Sequence, residues 1–266
     1  MHEKLKSFSK NNFYVICDFD RTLTHSFNKN GSKASTSNGI LRDNGYLSEE
    51  YCKLAKDIFS IYYPLEKDNS LTFREKKNKM IEWWQKHLEI KKKFGLNKNL
   101  IEEVSKKSYL NYREYAKEFL ELCFKFNIPV IIFSAGEGDI IVNSLKHEDM
   151  LFSNMRIISN FYEFDSDGNI LRYLGDIIHS LNKSEVELKG SDILKDLESK
   201  ENCILIGDKI EDLGMARKEH KAIYSFGFLN EDVEENLSSY KAHFDELILN
   251  DGSFKKAYDT LKKILL

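Results

Sequence analysis

Phe13-Tyr14-Val15-Ile16-Cys17-Asp18-Phe19-Asp20-Arg21-Thr22-Leu23-Thr24 is the stretch that decides the fold. Its first five residues are apolar without alternation, the pattern of a strand buried on both faces, and the run stops at a carboxylate. Alternate side chains of an extended chain share a side, so Asp18 and Asp20 face one way and Phe19 packs the other. Two carboxylates this close repel unless a cation or a shared proton relieves them. A strand capped by Asp with a turn at Arg21-Thr22 is the purely structural alternative.

Runs of the same kind recur outward along the chain at Val130-Ile131-Ile132-Phe133, Met155-Arg156-Ile157-Ile158, Cys203-Ile204-Leu205-Ile206 and, more weakly, Ala222-Ile223-Tyr224-Ser225. Between them lie helical patterns at Tyr115 to Phe126, Asp139 to Lys146 and Ser191 to Lys200. This alternation predicts an α/β fold with a doubly wound, Rossmann-like parallel sheet, whose ligand sits beyond the carboxyl ends of the strands. The stretch from about Leu47 to Ser108 breaks the alternation and shows helical periodicity alone. Thr72-Phe73-Arg74-Glu75 is a capping-box pattern opening a helix through Met80, Ile81, Trp83, Trp84 and Leu88, and Gly95 suits its end. The expected organisation is a core domain of residues 1–30 and 110–266, with a helical cap domain of residues 31–109 inserted after the first strand. Such a cap closes over the strand ends and excludes water.

Lys+Arg 40 against Asp+Glu 43 gives 40 − 43 = −3, a balance without the basic surplus of a nucleic-acid binder. Hydrophobic residues at 41% are enough for a proper core, which excludes wholesale disorder. No stretch approaches ~18 consecutive apolar residues, and Met1-His2-Glu3-Lys4-Leu5-Lys6 lacks the apolar run of a secretory signal. The four cysteines form no C-x-x-C pair; Cys17 and Cys203 lie in expected strands and Cys123 on an expected helix, as buried free thiols. The expectation is a cytoplasmic monomer that binds neither a membrane nor a nucleic acid polymer.

Three further segments carry chemistry. In Phe133-Ser134-Ala135-Gly136-Glu137-Gly138-Asp139, a hydroxyl followed by glycines at a strand-to-helix turn offers donors to an anion. The spacing is not that of a Walker A loop, and an ordinary turn with Asp139 as N-cap fits as well. Gly207-Asp208-Lys209-Ile210-Glu211-Asp212 sets one carboxylate at a strand end and another four residues on. Hard cations such as Mg²⁺ take one or two carboxylates plus substrate phosphate. His179-Ser180-Leu181-Asn182-Lys183 adds a lysine that is either a phosphate partner or a solvated surface charge. Asp165-Ser166-Asp167-Gly168-Asn169 looks like the start of a calcium loop, but Ile170 sits where the loop needs its glycine and a β-hairpin turn is expected.

In order, D-F-D-R-T, S-A-G, N-K and G-D-x-x-x-D resemble the four motifs of the haloacid dehalogenase-like phosphotransferases. Ile132-Phe133-Ser134-Ala135-Gly136 with Gly138-Asp139, Ile158-Ser159-Asn160-Phe161, Phe164-Asp165 before Gly168, His179 with Asn182-Lys183, and Gly227-Phe228-Leu229-Asn230 with Val233 narrow this further. They resemble the cytosolic pyrimidine 5′-nucleotidase (type III) family, from Asp18 to nearly the C-terminus.

The resemblance implies a Mg²⁺-dependent 5′-nucleotidase acting on pyrimidine or 7-methylguanosine 5′-monophosphates through an aspartyl-phosphate. Asp18 is then the nucleophile and Asp20 the general acid and base. Mg²⁺ is held by the Asp18 side chain, the Asp20 backbone carbonyl and Asp208. Ser134, the Ala135 N–H, Lys183 and Thr22 surround the phosphoryl oxygens, while Asp212 supports the metal shell or orients Lys183. In Tyr62-Tyr63-Pro64-Leu65-Glu66 the family's base-contacting carboxylate falls on Glu66, which favours a base with an exocyclic amine. Trp83 and Trp84 cannot share a helix face, and Trp84 is expected to stack on the base. His87 stands where the family has a substrate-binding serine, and motif four has Lys209 for serine and Glu211 for glycine. Transfer of phosphate to nucleosides is left open. Two other readings remain at this point: a small-metabolite phosphatase such as a phosphoserine phosphatase, and a non-catalytic nucleotide-binding protein with Lys209 in the metal site.

Overall fold

The uniformly apolar run at Phe13–Cys17 is strand β1, with every residue buried. The computed structural model describes residues 3–266 apart from 69, 108, 184–196, 198, 217 and 218. With β2 (Val130–Glu137), β3 (Met155–Asn160), β6 (Asn202–Gly207), β7 (Ala222–Leu229) and β8 (Glu246–Leu249), β1 builds a six-stranded sheet in the order β3-β2-β1-β6-β7-β8. Every pairing in it is parallel. Val15 and Cys17 join one apolar cluster and Tyr14 and Ile16 the other, so β1 contributes core to both faces. That double burial is why the run does not alternate.

Helices α1 (Ile40–Asp43), α2 (Glu49–Lys67), α3 (Phe73–Lys93) and α4 (Lys98–Ser105) all fall between β1 and β2. The capping box opens α3 as expected: the Thr72 hydroxyl accepts from the Glu75 amide, and the Glu75 carboxylate accepts from the Thr72 amide at 2.8 Å. Gly95 follows its end at φ +75°, a conformation that costs a residue without Cβ least. A fully buried ion pair of Lys91 on α3 with Glu137 on β2 ties this helical block to the sheet, and the Tyr173 hydroxyl donates to the same carboxylate. Burial of both charges is tolerable only because they satisfy each other.

Helices α5 (Ala116–Lys125) and α6 (Gly138–His147) flank β2, and helices at Val233–His243 and Lys255–Leu265 follow β7 and β8. The strand order reverses beside β1, because the chain runs through β2 and β3 on one side and returns to β6, β7 and β8 on the other. The carboxyl ends of β1 and β6 therefore flank the switch point, where open α/β sheets bind ligands.

Several expectations need adjustment. Strand β2 runs on through Ser134-Ala135-Gly136 to Glu137, with a register shift after Phe133. Asp139 is not an N-cap: it lies in the first turn of α6, where its carboxylate accepts from the Tyr162 amide at 2.9 Å. The short edge strand β8 lacks a continuous apolar run and was not expected. Residues 165–169 join the antiparallel strands β4 (Tyr162–Phe164) and β5 (Ile170–Tyr173), with Gly168 at φ +84°, so they form the expected hairpin turn. The helix expected over Ser191 to Lys200 falls, for most of its length, outside the described residues. Cys17, Cys123 and Cys203 are buried free thiols, and Cys52 is half-buried. Among the described residues no helix is long and apolar enough to cross a membrane.

Candidate active site

The amide of Asp18 still donates to Ile206 on β6, at 2.9 Å, so the carboxylate is delivered where the ladder ends. Beyond it the chain turns sharply: the Phe19 carbonyl accepts from the amides of Thr22, Leu23 and Thr24, and Arg21 takes φ +65°. Phe19 is fully buried with its ring edge-on to Tyr112. The turn is held from outside by Arg113. Its guanidinium donates to the carbonyls of Arg21 and Thr22, each at 2.8 Å, pairs with Asp251 at 2.9 Å, and lies over the Phe228 ring.

Asp20 points to Ser37 in the segment before α1. The Ser37 amide and hydroxyl donate to its two carboxylate oxygens at 2.7 and 2.6 Å. Burial pushes the Asp20 carboxyl up, and these two hydrogen bonds pull it back. Gly136 approaches the same place. A Cβ there would lie 1.9 Å from the Ser37 hydroxyl and 2.9 Å from the Asp20 carboxylate, so no side chain fits. The Ser134 hydroxyl accepts from the Gly136 amide at 3.0 Å. Asn160 at the end of β3 donates to the Ala135 carbonyl and receives the Ile178 amide, linking this loop to the segment that carries Lys183.

Asn182 fixes that segment by accepting from the His179 amide and donating to the Ile177 carbonyl. Lys183 then reaches inward to Asp18 and, at 2.9 Å, to Asp212. Asp212 lies in a 3-10 helix (Ile210–Met215), where its second oxygen accepts from the amides of Asp208 and Lys209. Gly207 makes room for it, because a Cβ there would meet the Asp212 side chain at 2.6 Å. Oxygens of Asp18, Asp208 and Asp212 lie within 4.8 Å of one another. Burial pushes the carboxyls of Asp18 and Asp208 above the usual carboxylate range, opposed at Asp18 by Lys183 and reinforced at Asp208 by Asp18 and Asp212. Three crowded, desolvated carboxylates facing one ammonium are a donor set that fits a hard dication.

These groups form the floor of a cleft of about 600 Å³, in the size range of small-molecule sites. Asp20, Ser134, Ala135, Gly136, Lys183 and Asp208 line it from the sheet, and Phe59, Tyr63, Glu66, Trp83 and His87 from α2 and α3. The Phe59 ring stacks on Tyr63 and meets Trp83 edge-on. Glu66 forms a salt bridge with Lys209 across the cleft, at 3.1 Å. His87 is buried, with its ring nitrogen 3.3 Å from the Tyr51 hydroxyl, and burial holds its pKa well below the ordinary value.

Most residues singled out from the sequence thus converge. Two do not. Trp84, expected to stack on a base, is packed in the core against Tyr173; its neighbour Trp83 lines the cleft instead. Adjacent helical residues point about 100° apart, so choosing the wrong one reverses the assignment. Thr22 lies off the cleft wall, fully buried, with no hydrogen-bond partner for its hydroxyl among the described residues. The carboxylate cluster also takes in Asp212, while the Asp20 side chain turns away from it to Ser37. Ser37 and Arg113 escaped sequence reasoning. Each acts on the β1 loop from a distant segment and sits in no local pattern.

A model of the family described as pyrimidine 5′-nucleotidase (UMPH-1) matches residues 21–265. The human 7-methylguanosine phosphate-specific 5′-nucleotidase is 35% identical over 253 residues, 94% of this chain and 84% of that protein. The corresponding Gallus gallus enzyme is 32% identical over 254 residues, 95% of this chain and 88% of that one. The crystal structure of cytosolic 5′-nucleotidase IIIB bound to cytidine superposes with a TM-score of 0.88 at 28% identity, covering 98% of this chain and 88% of that one. A substrate-bound phosphoserine phosphatase shares the fold at a TM-score of 0.55 and 19% identity, covering 96% of this chain and 99% of that one.

Proposed function

Because the chain belongs to the pyrimidine 5′-nucleotidase (UMPH-1) family of phosphoric monoester hydrolases, we propose that it hydrolyses nucleoside 5′-monophosphates whose base carries an exocyclic amine, as cytosine and 7-methylguanine do. The observation that carries this reading is the joining of two surfaces in one cleft: the acidic and hydroxyl groups at the strand ends, and the aromatic wall with Glu66 above them. A phosphoryl group suits the first and a nucleobase the second.

In this reading Asp18 attacks phosphorus and becomes the aspartyl-phosphate, as carboxylate nucleophiles do. Asp20, held by Ser37, gives its proton to the departing 5′-oxygen and then takes one from the water that cleaves the intermediate. Ser134, the Ala135 amide and Lys183 bind the phosphoryl oxygens as their charge develops. Asp18 and Asp208 would hold Mg²⁺, with the Asp20 carbonyl and Asp212 beside them. When bound, it supplies the positive charge that lets anionic nucleophile and phosphate approach. Residues 31–109 act as the cap, presenting Glu66 and Trp83 to the base and shutting out water. The cytosolic relative supports a cytoplasmic location.

Phosphate release from CMP, UMP, 7-methyl-GMP, AMP and phosphoserine with Mg²⁺, beside Asp18→Asn, tests the reading. We expect turnover of amine-bearing nucleotides that disappears in the variant. Turnover of phosphoserine alone would keep the strand-end chemistry and remove the base assignment. Nucleotide binding without turnover would revive a binding protein.

A further inference from the structure

Lys209 departs from the family's motif four, and its side chain crosses the cleft. Its ammonium donates to Glu66 at 3.1 Å, joining the loop after β6 to the last turn of α2. The Glu66 side chain is only 13% exposed, and one of its oxygens carries the Lys209 ammonium. A second cation stands in the same wall. The Arg42 guanidinium lies 5.2 Å from the centroid of the Phe59 ring and is itself paired with Asp43. A carboxylate and an aromatic face are the two groups that recognise a positively charged heteroaromatic ring. In this cleft both already hold a cation of the chain's own.

We infer that Lys209, aided by Arg42, is a specificity-determining residue that steers the cleft towards a neutral, amine-bearing base and against a cationic N7-methylated purine. The inference rests on the nucleotide reading of the cleft. Cytosine is neutral, and its exocyclic amine donates to a Glu66 oxygen without displacing the ammonium. The N7-methylated guanine ring carries a formal positive charge. It must share Glu66 with Lys209 and the Phe59 face with Arg42, and like charges at that range repel. With serine at 209, as the family has it, Glu66 meets such a ring without the Lys209 ammonium beside it.

Calorimetric titration of cytidine and of 7-methylguanosine into the intact protein reads this directly, because nucleoside binding requires neither turnover nor Mg²⁺. The wild type should bind cytidine more tightly. Lys209→Ser should move the ratio of the two Kd values about tenfold towards 7-methylguanosine, the change that ~1.4 kcal/mol represents. Lys209→Gln should move it the same way, and Lys209→Arg should keep the wild-type ratio. A ratio unchanged in both neutral variants, or a wild type that prefers 7-methylguanosine, overturns the inference and leaves the nucleotide reading standing. A wild type that binds neither nucleoside overturns the nucleotide reading and the inference with it.

Discussion

Lys183 lies between the carboxylates of Asp18 and Asp212 and donates to both, at 2.9 Å to the latter. It balances part of the charge that Asp18, Asp208 and Asp212 bring together. In the proposed reaction the same ammonium also binds a phosphoryl oxygen.

Lys183→Met should therefore do two things. Phosphate release should fall by at least about 10²–10³, the loss seen when one preorganised donor to a developing charge is removed. Metal-free protein should also melt lower, since the buried carboxylates of Asp18 and Asp212 lose their counter-charge. Mg²⁺ should then raise the Tm of the variant more than that of the wild type, read by thermal melts with and without the ion. Equal gains would mean that Lys183 and the cation do not share a site.

The Ser37 hydroxyl and the absent side chain at Gly136 make one prediction. Ser37→Ala removes the 2.6 Å hydrogen bond to Asp20 and leaves the backbone one. Its kcat should fall about 10- to 100-fold with KM little changed, within what general acid–base catalysis contributes. Gly136→Ala drives a Cβ onto the Ser37 hydroxyl, at 1.9 Å, and should cost more activity than Ser37→Ala while circular dichroism stays native. Full activity in Gly136→Ala would show that the Ser37–Asp20 contact is not used.

The centre of the sheet was legible because β1, β2 and β6 are buried on both faces and read as unbroken apolar runs. The edge strand β8 was not, because Glu246–Leu249 is only partly buried and carries no such run. Asp18, Ser134, Lys183 and Asp208 were legible for a related reason: three of the four sit on or at the ends of those strands, and the fold turns a strand end into a site. Ser37 and Arg113 were invisible. Ser37 meets Asp20 across 17 positions and Arg113 meets Thr22 across 91, and neither separation leaves a periodic trace.

His179 contributes a pH dependence of known sign. Burial lowers its pKa from 6.5 to about 4, with Lys77 adding to the effect and Glu66 opposing it. The folded state thus binds fewer protons than the unfolded state between those values, and stability must rise with pH there. It is complete above pH 6.5 and is lost as pH falls towards 4, at up to about 1.4 kcal/mol per unit. Denaturant melts at pH 7 and pH 5 should show a smaller acid loss in His179→Gln than in wild type. An identical loss would assign it to other groups.

Trp83 and Trp84 separate cleft from core in adjacent positions. The half-buried Trp83 sits between Phe59 and Tyr62 and lines the cleft. Trp84 is 7% exposed, meets Tyr173 edge-on and has the buried Lys91 ammonium 5.8 Å from its ring. Trp84→Ala should cost about 3–5 kcal/mol of stability, the range for emptying an aromatic site in a core. It should leave the KM of correctly folded protein near wild type, because no cleft wall is lost. Trp83→Ala should barely move the melt yet raise KM for nucleotides about tenfold, as loss of about 1.4 kcal/mol of stacking and burial would. KM for a small phosphate ester without a base should stay unchanged in the same variant, because in the proposed reading Trp83 meets the base and not the phosphate. If instead Trp84→Ala raised KM and Trp83→Ala did not, the base would enter from the other face of α3 and the assignment of the aromatic wall would be wrong.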